Sequence, residues 1–205
     1  MPLRLRQLAL TLHVVASVGW LGAVTTFLAL ALVGRFTADT EKARACYVAM
    51  EVATRTVILP LAIACLMTGL VQSLGTRWGL FRHYWVVTKM VIAAISTALL
   101  ALHMRPIATA AEAAATQQIF EPALRAVRNQ LVLDASLAII ALVVATVLSI
   151  YKPAGLTAYG RRQEGRGQLL VGASRAWGFF LLLGILILSA VAVAVHLAGG
   201  GLHGH

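Results

Sequence analysis

Long apolar runs alternate with short charged segments along this chain. A helix needs about 20 mainly apolar residues to cross ~30 Å of hydrocarbon, and five runs meet that requirement. They cover residues 8–34, 56–74, 84–104, 131–151 and 177–198. Because none of them shows the short alternating pattern of barrel strands, the sequence predicts an all-α, five-helix transmembrane bundle, with residues 1–205 forming a single integral membrane domain.

The composition supports a membrane protein. Hydrophobic residues make up 60% of the chain and charged residues 12%, about half of the ~25% found in soluble domains. So few charges exclude a soluble enzyme, a disordered chain and a disulfide scaffold. The net charge of +10 comes from residues that flank the apolar runs, so the predicted partner is the lipid bilayer and no nucleic acid is expected.

Basic residues predict the direction of the helices, because cytoplasmic loops carry an excess of Lys and Arg. Nine basic residues fall on the side of the N-terminus and seven on the opposite side. The nine are Arg4, Arg6, Arg77, Arg82, Lys152, Arg161, Arg162, Arg166 and Arg175. We therefore expect a cytoplasmic N-terminus and a C-terminus outside.

The two larger outer loops, 35–55 and 105–130, contain good helix formers. We expect them to extend the spans as helices, with Pro122 in the first turn of one of them. A surface-lying amphipathic helix is the alternative. Pro60, near the start of the second span, is expected to kink that helix.

Ionisable side chains within the runs cost at least about 2.5–3.5 kcal/mol each near the bilayer centre, and they fall at two depths. The outer layer contains His103, Asp134 and His196, with Arg55 nearby. His103 and His196 could ligate a haem iron, or could form a small metal site with Asp134. In the alternative interpretation, Asp134 pairs with Arg55 and both histidines make only interfacial hydrogen bonds.

The inner layer contains His13 and Lys89. Together they could bind an anionic group such as a porphyrin propionate, hold a quinone carbonyl, or relay protons. Alternatively, Lys89 extends to the cytoplasmic rim and His13 makes a buried hydrogen bond. The predicted depths of His13 and His103 differ by about 14 residues of helix rise, or roughly 21 Å, so both cannot ligate one iron.

Three features carry a resemblance to a known group: the segment LHVVASVGWLG at 12–22, the segment WVVTK at 85–89, and His103. The chain resembles small bacterial multi-span membrane proteins that include the J-type protoporphyrinogen oxidase and copper-resistance D-like domains. Segments 75–85 and 151–157 are most similar to actinobacterial members with no assigned activity. The resemblance covers the first three spans well and the fourth loosely.

The resemblance implies a helical bundle of the bacterial cytoplasmic membrane. It implies that His13 binds haem b and that Lys89 and His103 are functional positions. Segment 23–33 lacks the arginine- and histidine-bearing end that follows in the oxidase. The resemblance therefore implies haem or metal binding rather than porphyrinogen oxidation itself.

These observations predict a haem- or metal-linked redox role with intramembrane histidine ligands. The cofactor is haem b, or alternatively copper or another metal ion. The candidate cofactor-binding residues are His13, Lys89, His103 and His196, and the candidate metal ligands are His103, Asp134 and His196. A membrane redox partner or a second copy of the chain is the expected protein partner. Two alternatives stay open: a transporter for copper or another small solute, and a structural subunit that docks a partner without any cofactor.

Overall fold

A computed structural model describes residues 2–75, 80–116, 118, 120–152, 156, 157 and 160. These residues form six α-helices in chain order, with a π-helical turn at Thr54–Ile58 and a 3-10 turn at Pro122–Leu124. The helices are α1 (Leu3–Phe36), α2 (Thr40–Ala53), α3 (Leu59–Gly75), α4 (Tyr84–Leu102), α5 (Met104–Ala115) and α6 (Arg125–Tyr151). The fifth predicted span, 177–198, lies outside the described residues.

The all-helical prediction is confirmed for the described part of the chain, where the only β-type pairing is an isolated bridge between His83 and Leu156. Among the described residues, four continuous or nearly continuous helices are long and apolar enough to cross a membrane. They are Leu3–Phe36, Thr40–Gly75, Tyr84–Ala115 and Arg125–Tyr151. Each contains one of the first four predicted spans.

Helix α1 lies at the centre of the bundle and packs against α2, α3 and α6, while α4 packs against α3 and α6. The core between these helices includes the buried side chains of Trp20, Phe27, Ile58 and Leu131. Alanine is the commonest residue at the remaining buried positions, and its small side chain lets neighbouring helices approach closely.

At one end of the bundle, α2 packs against α5, beside the end of α1 and the start of α6. We call this region the cap. The 34 residues of α1 rise about 51 Å, against ~30 Å of hydrocarbon, so one end or both must extend past the apolar layer. The expectation that loops 35–55 and 105–130 extend the spans is confirmed, and Pro122 begins the turn that leads into α6.

Two prolines shape the long helices. The expected kink at Pro60 takes the form of the π-helical turn Thr54–Ile58, where the N–H of Leu59 bonds to the carbonyl of Thr54. A proline ring clashes with the carbonyl four residues earlier, and the wider turn accommodates it while the helix continues. Pro106 has a larger effect: it lies four residues after Leu102, where α4 ends, so it accounts for the break between α4 and α5.

The opposite end of the bundle brings two connections together. The backbone N–H of Thr157, beyond α6, donates to the carbonyl of Arg82, just before α4, at 3.0 Å. The Thr157 hydroxyl also donates to the carbonyl of Phe81. The segment before α4 and the segment after α6 thus meet at the same end of the bundle. The sequence predicted this, because Arg82 and Lys152 were assigned to the same side.

Candidate functional site

His103 occupies the break between α4 and α5. Pro106 has no N–H and its ring excludes a normal bond to Leu102, so the helix cannot run through this position. The backbone of His103 leaves the helical region, with φ −84° and ψ 3°. Its imidazole is thereby placed at the corner of a bent helix and beside α6, with only 12% of the side chain exposed.

Both ring nitrogens of His103 have close neighbours. Nδ1 donates to the carbonyl of Leu99 at 2.7 Å, because a carbonyl oxygen can only accept. On the other side of the ring, Nε2 lies 3.0 Å from the side-chain amide nitrogen of Gln130 and 3.1 Å from Oδ2 of Asp134. The prediction that Asp134 faces the bundle beside His103 is confirmed.

The Nε2 atom of His103 therefore faces a carboxylate oxygen of Asp134 and the side-chain amide of Gln130. Gln130 and Asp134 are four residues apart on α6, so they lie on the same face of that helix. Together with the carbonyl of Leu99 they hold the imidazole between α4 and α6.

The His103–Asp134 pair lies on the wall of an internal cavity of about 130 Å³. Its other walls come from α1, the π-helical turn, α4 and α6, and they are almost entirely apolar. Trp20 and Phe27 supply aromatic surface, and Ile92 and Leu131 supply aliphatic surface. The cavity therefore combines an apolar body with one polar position, which is the usual construction of a small-molecule site.

Arg55, a further predicted member of the outer layer, pairs with a residue other than Asp134. Arg55 bonds to Glu51 at 3.0 Å and is 54% exposed, so the alternative in which it pairs with Asp134 is wrong. An i, i+4 partner at the helix surface was available to Arg55 without any desolvation. His196 lies outside the described residues, within which no three His, Cys, Asp or Glu side chains are grouped to hold a metal ion.

His13 lies in a second site, between α1 and α3. Its Nδ1 is 3.1 Å from the carbonyl of Cys65 and 3.1 Å from the hydroxyl oxygen of Thr68. The Thr68 hydroxyl donates its own proton to the carbonyl of Ala64. Both neighbours of Nδ1 are therefore acceptors, so Nδ1 carries the proton and Nε2 carries the lone pair. Within the described structure, Nε2 has no hydrogen-bond partner.

A glycine allows His13 to approach α3 this closely. A Cβ placed on Gly69 would lie 3.2 Å from Cε1 of His13, inside ordinary van der Waals contact. Sequence reasoning did not identify Cys65, Thr68 or Gly69 as neighbours of His13, although a signal was present. His13 is the sixth residue of the run 8–34, and Gly69 is the sixth from the end of the antiparallel run 56–74.

Lys89 extends from α4 toward α6. Its ammonium group donates to the hydroxyl of Ser149 at 3.0 Å and lies 4.7 Å from the ring centre of Trp85. Ser149 donates its own proton to the carbonyl of Ala145, so its oxygen is free to accept from Lys89. A hydroxyl and an aromatic face together replace part of the hydration that this cation loses.

Comparison of this chain with family models, with curated proteins and with solved structures finds no match. The resemblance drawn from the sequence therefore stays a prediction.

Proposed function

We propose that this chain is a five-span protein of the bacterial cytoplasmic membrane, with a cytoplasmic N-terminus and a haem- or metal-linked redox role. The charge distribution between the spans supports the orientation. The proposed cofactor is haem b, and the proposed iron ligand is Nε2 of His13.

The observation that carries this proposal is the hydrogen bonding of the His13 ring. A histidine that ligates a metal generally donates its other N–H to a carbonyl, a carboxylate or water, which fixes the tautomer and the ring orientation. His13 meets this condition, because Nδ1 bonds to Cys65 and Thr68. The residues present thus fit a histidine that would hold haem iron, and a haem held there would supply one-electron transfer.

Lys89 fits the same function as a binding residue. Its ammonium group is held by only one hydroxyl and one aromatic ring, so it retains donors for an anionic group. A porphyrin propionate is such a group, and pairing would compensate the charge of Lys89 within the bundle. In this role Lys89 orients the cofactor and takes no part in electron transfer.

His103 fits an iron ligand less well than His13 does, because its two ring nitrogens are engaged by Leu99, Gln130 and Asp134. We propose that it serves as the polar position of the cavity. The reaction partner expected there is an apolar, membrane-dissolved molecule with one hydrogen-bonding oxygen. A metal ion held by His103, Asp134 and His196 is the alternative, and it would have to displace Gln130 from Nε2.

A visible absorption spectrum and metal analysis of the purified full-length protein test the proposal. We expect a Soret band in the wild-type protein, its loss in His13→Ala, and its partial return when imidazole is added to that variant. His103→Ala is the matched control, because it removes the other buried imidazole and should keep the band.

Three results would contradict parts of the proposal. Loss of the band in His103→Ala but not in His13→Ala would indicate that the iron ligand is His103, in the outer layer. Copper or another metal without a Soret band would favour the alternative metal site. A folded protein without haem and without metal, expressed with excess haem precursor and iron, would overturn the redox role and leave partner docking.

A further inference from the structure

Two arginines and one tyrosine come together in the cap, away from both histidines. Arg128 lies in the first turn of α6, Arg35 in the last turn of α1, and Tyr47 in the middle of α2. Only 8% of Arg128 and 1% of Tyr47 is exposed. Both guanidinium groups act electrostatically on the Tyr47 hydroxyl.

Two polar atoms of this group are left without partners. Nε of Arg128 and the hydroxyl of Tyr47 are fully buried, and neither has a hydrogen bond in the described structure. No carboxylate of a described residue lies within ion-pair distance of Arg128. The centre of the Phe120 ring lies 5.5 Å from its guanidinium carbon. Arg35 bonds through Nε to the side-chain oxygen of Asn129 at 2.7 Å, which leaves its charge uncompensated.

A buried cation without a counter-charge is strongly unfavourable, and buried polar groups are almost always hydrogen-bonded. Two cations, a phenolic donor and the positive end of the 27-residue helix α6 all act in the same place. Every unmet requirement is for negative charge or for an acceptor oxygen, so the missing component is an anion with several oxygens.

We propose that Arg128, Arg35 and Tyr47 form a binding site for a phosphate group. The guanidinium groups donate to its oxygens in pairs, as they do in other phosphate sites, and the Tyr47 hydroxyl donates to a third oxygen. The phosphate belongs either to a soluble molecule or to a phospholipid headgroup. The site does not depend on the proposed redox role, since it shares no residue with either histidine site.

The chain builds this site around a glycine. A Cβ on Gly34 would lie 2.9 Å from Cε2 and 3.1 Å from Cζ of Tyr47, so only glycine leaves room for the tyrosine ring against α1. Arg35 follows directly, and its side chain begins beside that ring. The same close approach thus buries Tyr47 and sets the position of one of the two cations.

Thermal unfolding of the full chain in phospholipid-free detergent tests the site. Inorganic phosphate is titrated against chloride at constant ionic strength, and short-chain phosphatidylglycerol is titrated separately. We expect one of the two ligands to raise the melting temperature of the wild-type protein. Arg128→Gln should weaken the binding of that ligand by about tenfold or more, since a hydrogen-bonded charge pair is lost.

Arg125→Gln is the matched control, because Arg125 is exposed on the same helix and its loss removes the same charge. It should bind the ligand as the wild-type protein does. If Arg128→Gln fails to fold, Tyr47→Phe decides, since it removes one unpartnered hydroxyl and keeps the ring. If no phosphate binds there, the Tyr47→Phe variant should be as stable as the wild-type protein or more stable. The ligand should then stabilise the variant and the wild-type protein equally.

Stabilisation by inorganic phosphate would support the site with a soluble ligand, and stabilisation by phosphatidylglycerol alone would support it with a lipid ligand. Failure of both ligands to stabilise the wild-type protein would overturn the proposal. Equal stabilisation of the wild type and Arg128→Gln, or of the wild type and Tyr47→Phe, would overturn it as well.

Discussion

Gly34→Ala tests whether the cap packs as closely as described. The added methyl group would lie 2.9 Å from Cε2 of Tyr47, 3.1 Å from Cζ and 3.4 Å from Cβ of Cys46. Carbon atoms prefer separations of about 3.5–4.0 Å, so the tyrosine ring must shift by roughly half an ångström. Tyr47 is almost fully buried, and the ring has no solvent-filled space into which it can move.

The expected cost follows from a comparison within the same helix. Adding a methyl group to a packed core costs about 1–3 kcal/mol, whereas replacing glycine by alanine in a helix gains up to about 1 kcal/mol. Gly22 supplies the control, because a Cβ there has no neighbour within 4 Å. We therefore expect Gly22→Ala to be neutral or stabilising, and Gly34→Ala to be less stable than Gly22→Ala by about 1–3 kcal/mol.

Unfolding in mixed detergent micelles, followed by circular dichroism, gives the free energy of unfolding of each variant. A double-mutant cycle with Tyr47→Leu isolates the contact, because Gly34→Ala should lose most of its cost once the ring is gone. If Gly34→Ala is as stable as Gly22→Ala, the close packing of α1 against α2 is wrong. If the cost persists without the ring, the clash does not arise from Tyr47.

Three further predictions test other parts of the fold. Asp39→Ala should lower the free energy of unfolding by about 1 kcal/mol, because Oδ1 of Asp39 caps the first turn of α2; equal stability by circular dichroism would contradict this. Asp134→Leu should destabilise the protein by about 1–3 kcal/mol, because it removes the partner of His103. Adding Gln130→Ala to that variant should then lower the free energy of unfolding little further. Full additivity of the two changes in the same assay would show that the two side chains do not share one network. Ser149→Ala should destabilise the protein by about 1 kcal/mol, because it removes an acceptor from Lys89. Lys89→Met, by contrast, should be neutral or stabilising. The opposite order of stability in a thermal unfolding assay would refute the described environment of the Lys89 ammonium group.

The sequence predicted the helices that cross the bundle because a single physical requirement determines them. Backbone groups in hydrocarbon must bond within the helix, so an apolar run of sufficient length has one regular structure available. The run 131–151, for example, lies entirely within α6. The ends of the helices were harder to predict, because capping and packing beyond the apolar layer determine them.

The site was predicted in part. Spacing along α6 indicated that Asp134 faces the bundle, and the alternation of direction placed it at the depth of His103. The direct contact between these two residues could not be predicted from spacing and depth, because Pro106 breaks the helix and turns the His103 ring toward α6. The alternative in which Arg55 pairs with Asp134 was wrong, since depth alone does not distinguish a residue that faces the bundle from one on its surface.

The group Arg35, Tyr47 and Arg128 was not found from the sequence at all. All three residues lie outside the apolar runs, where arginine and tyrosine are ordinary and draw no attention. Only the packing of α1 against both α2 and α6 brings them into one region. Their unusual feature is that the Tyr47 hydroxyl and Nε of Arg128 lack hydrogen-bond partners among the described residues, which a sequence does not record.

The contact between α2 and α5 restricts how this part of the chain can change during evolution. Its buried positions include Ala43, Ala110 and Ala114, which already have the smallest side chain above glycine. A larger residue on one helix could be compensated only by glycine on the other, at a loss of about 1 kcal/mol in helix propensity. These positions therefore have almost no compensatory substitutions available, and we expect them to vary less than the lipid-facing residues of the same helices.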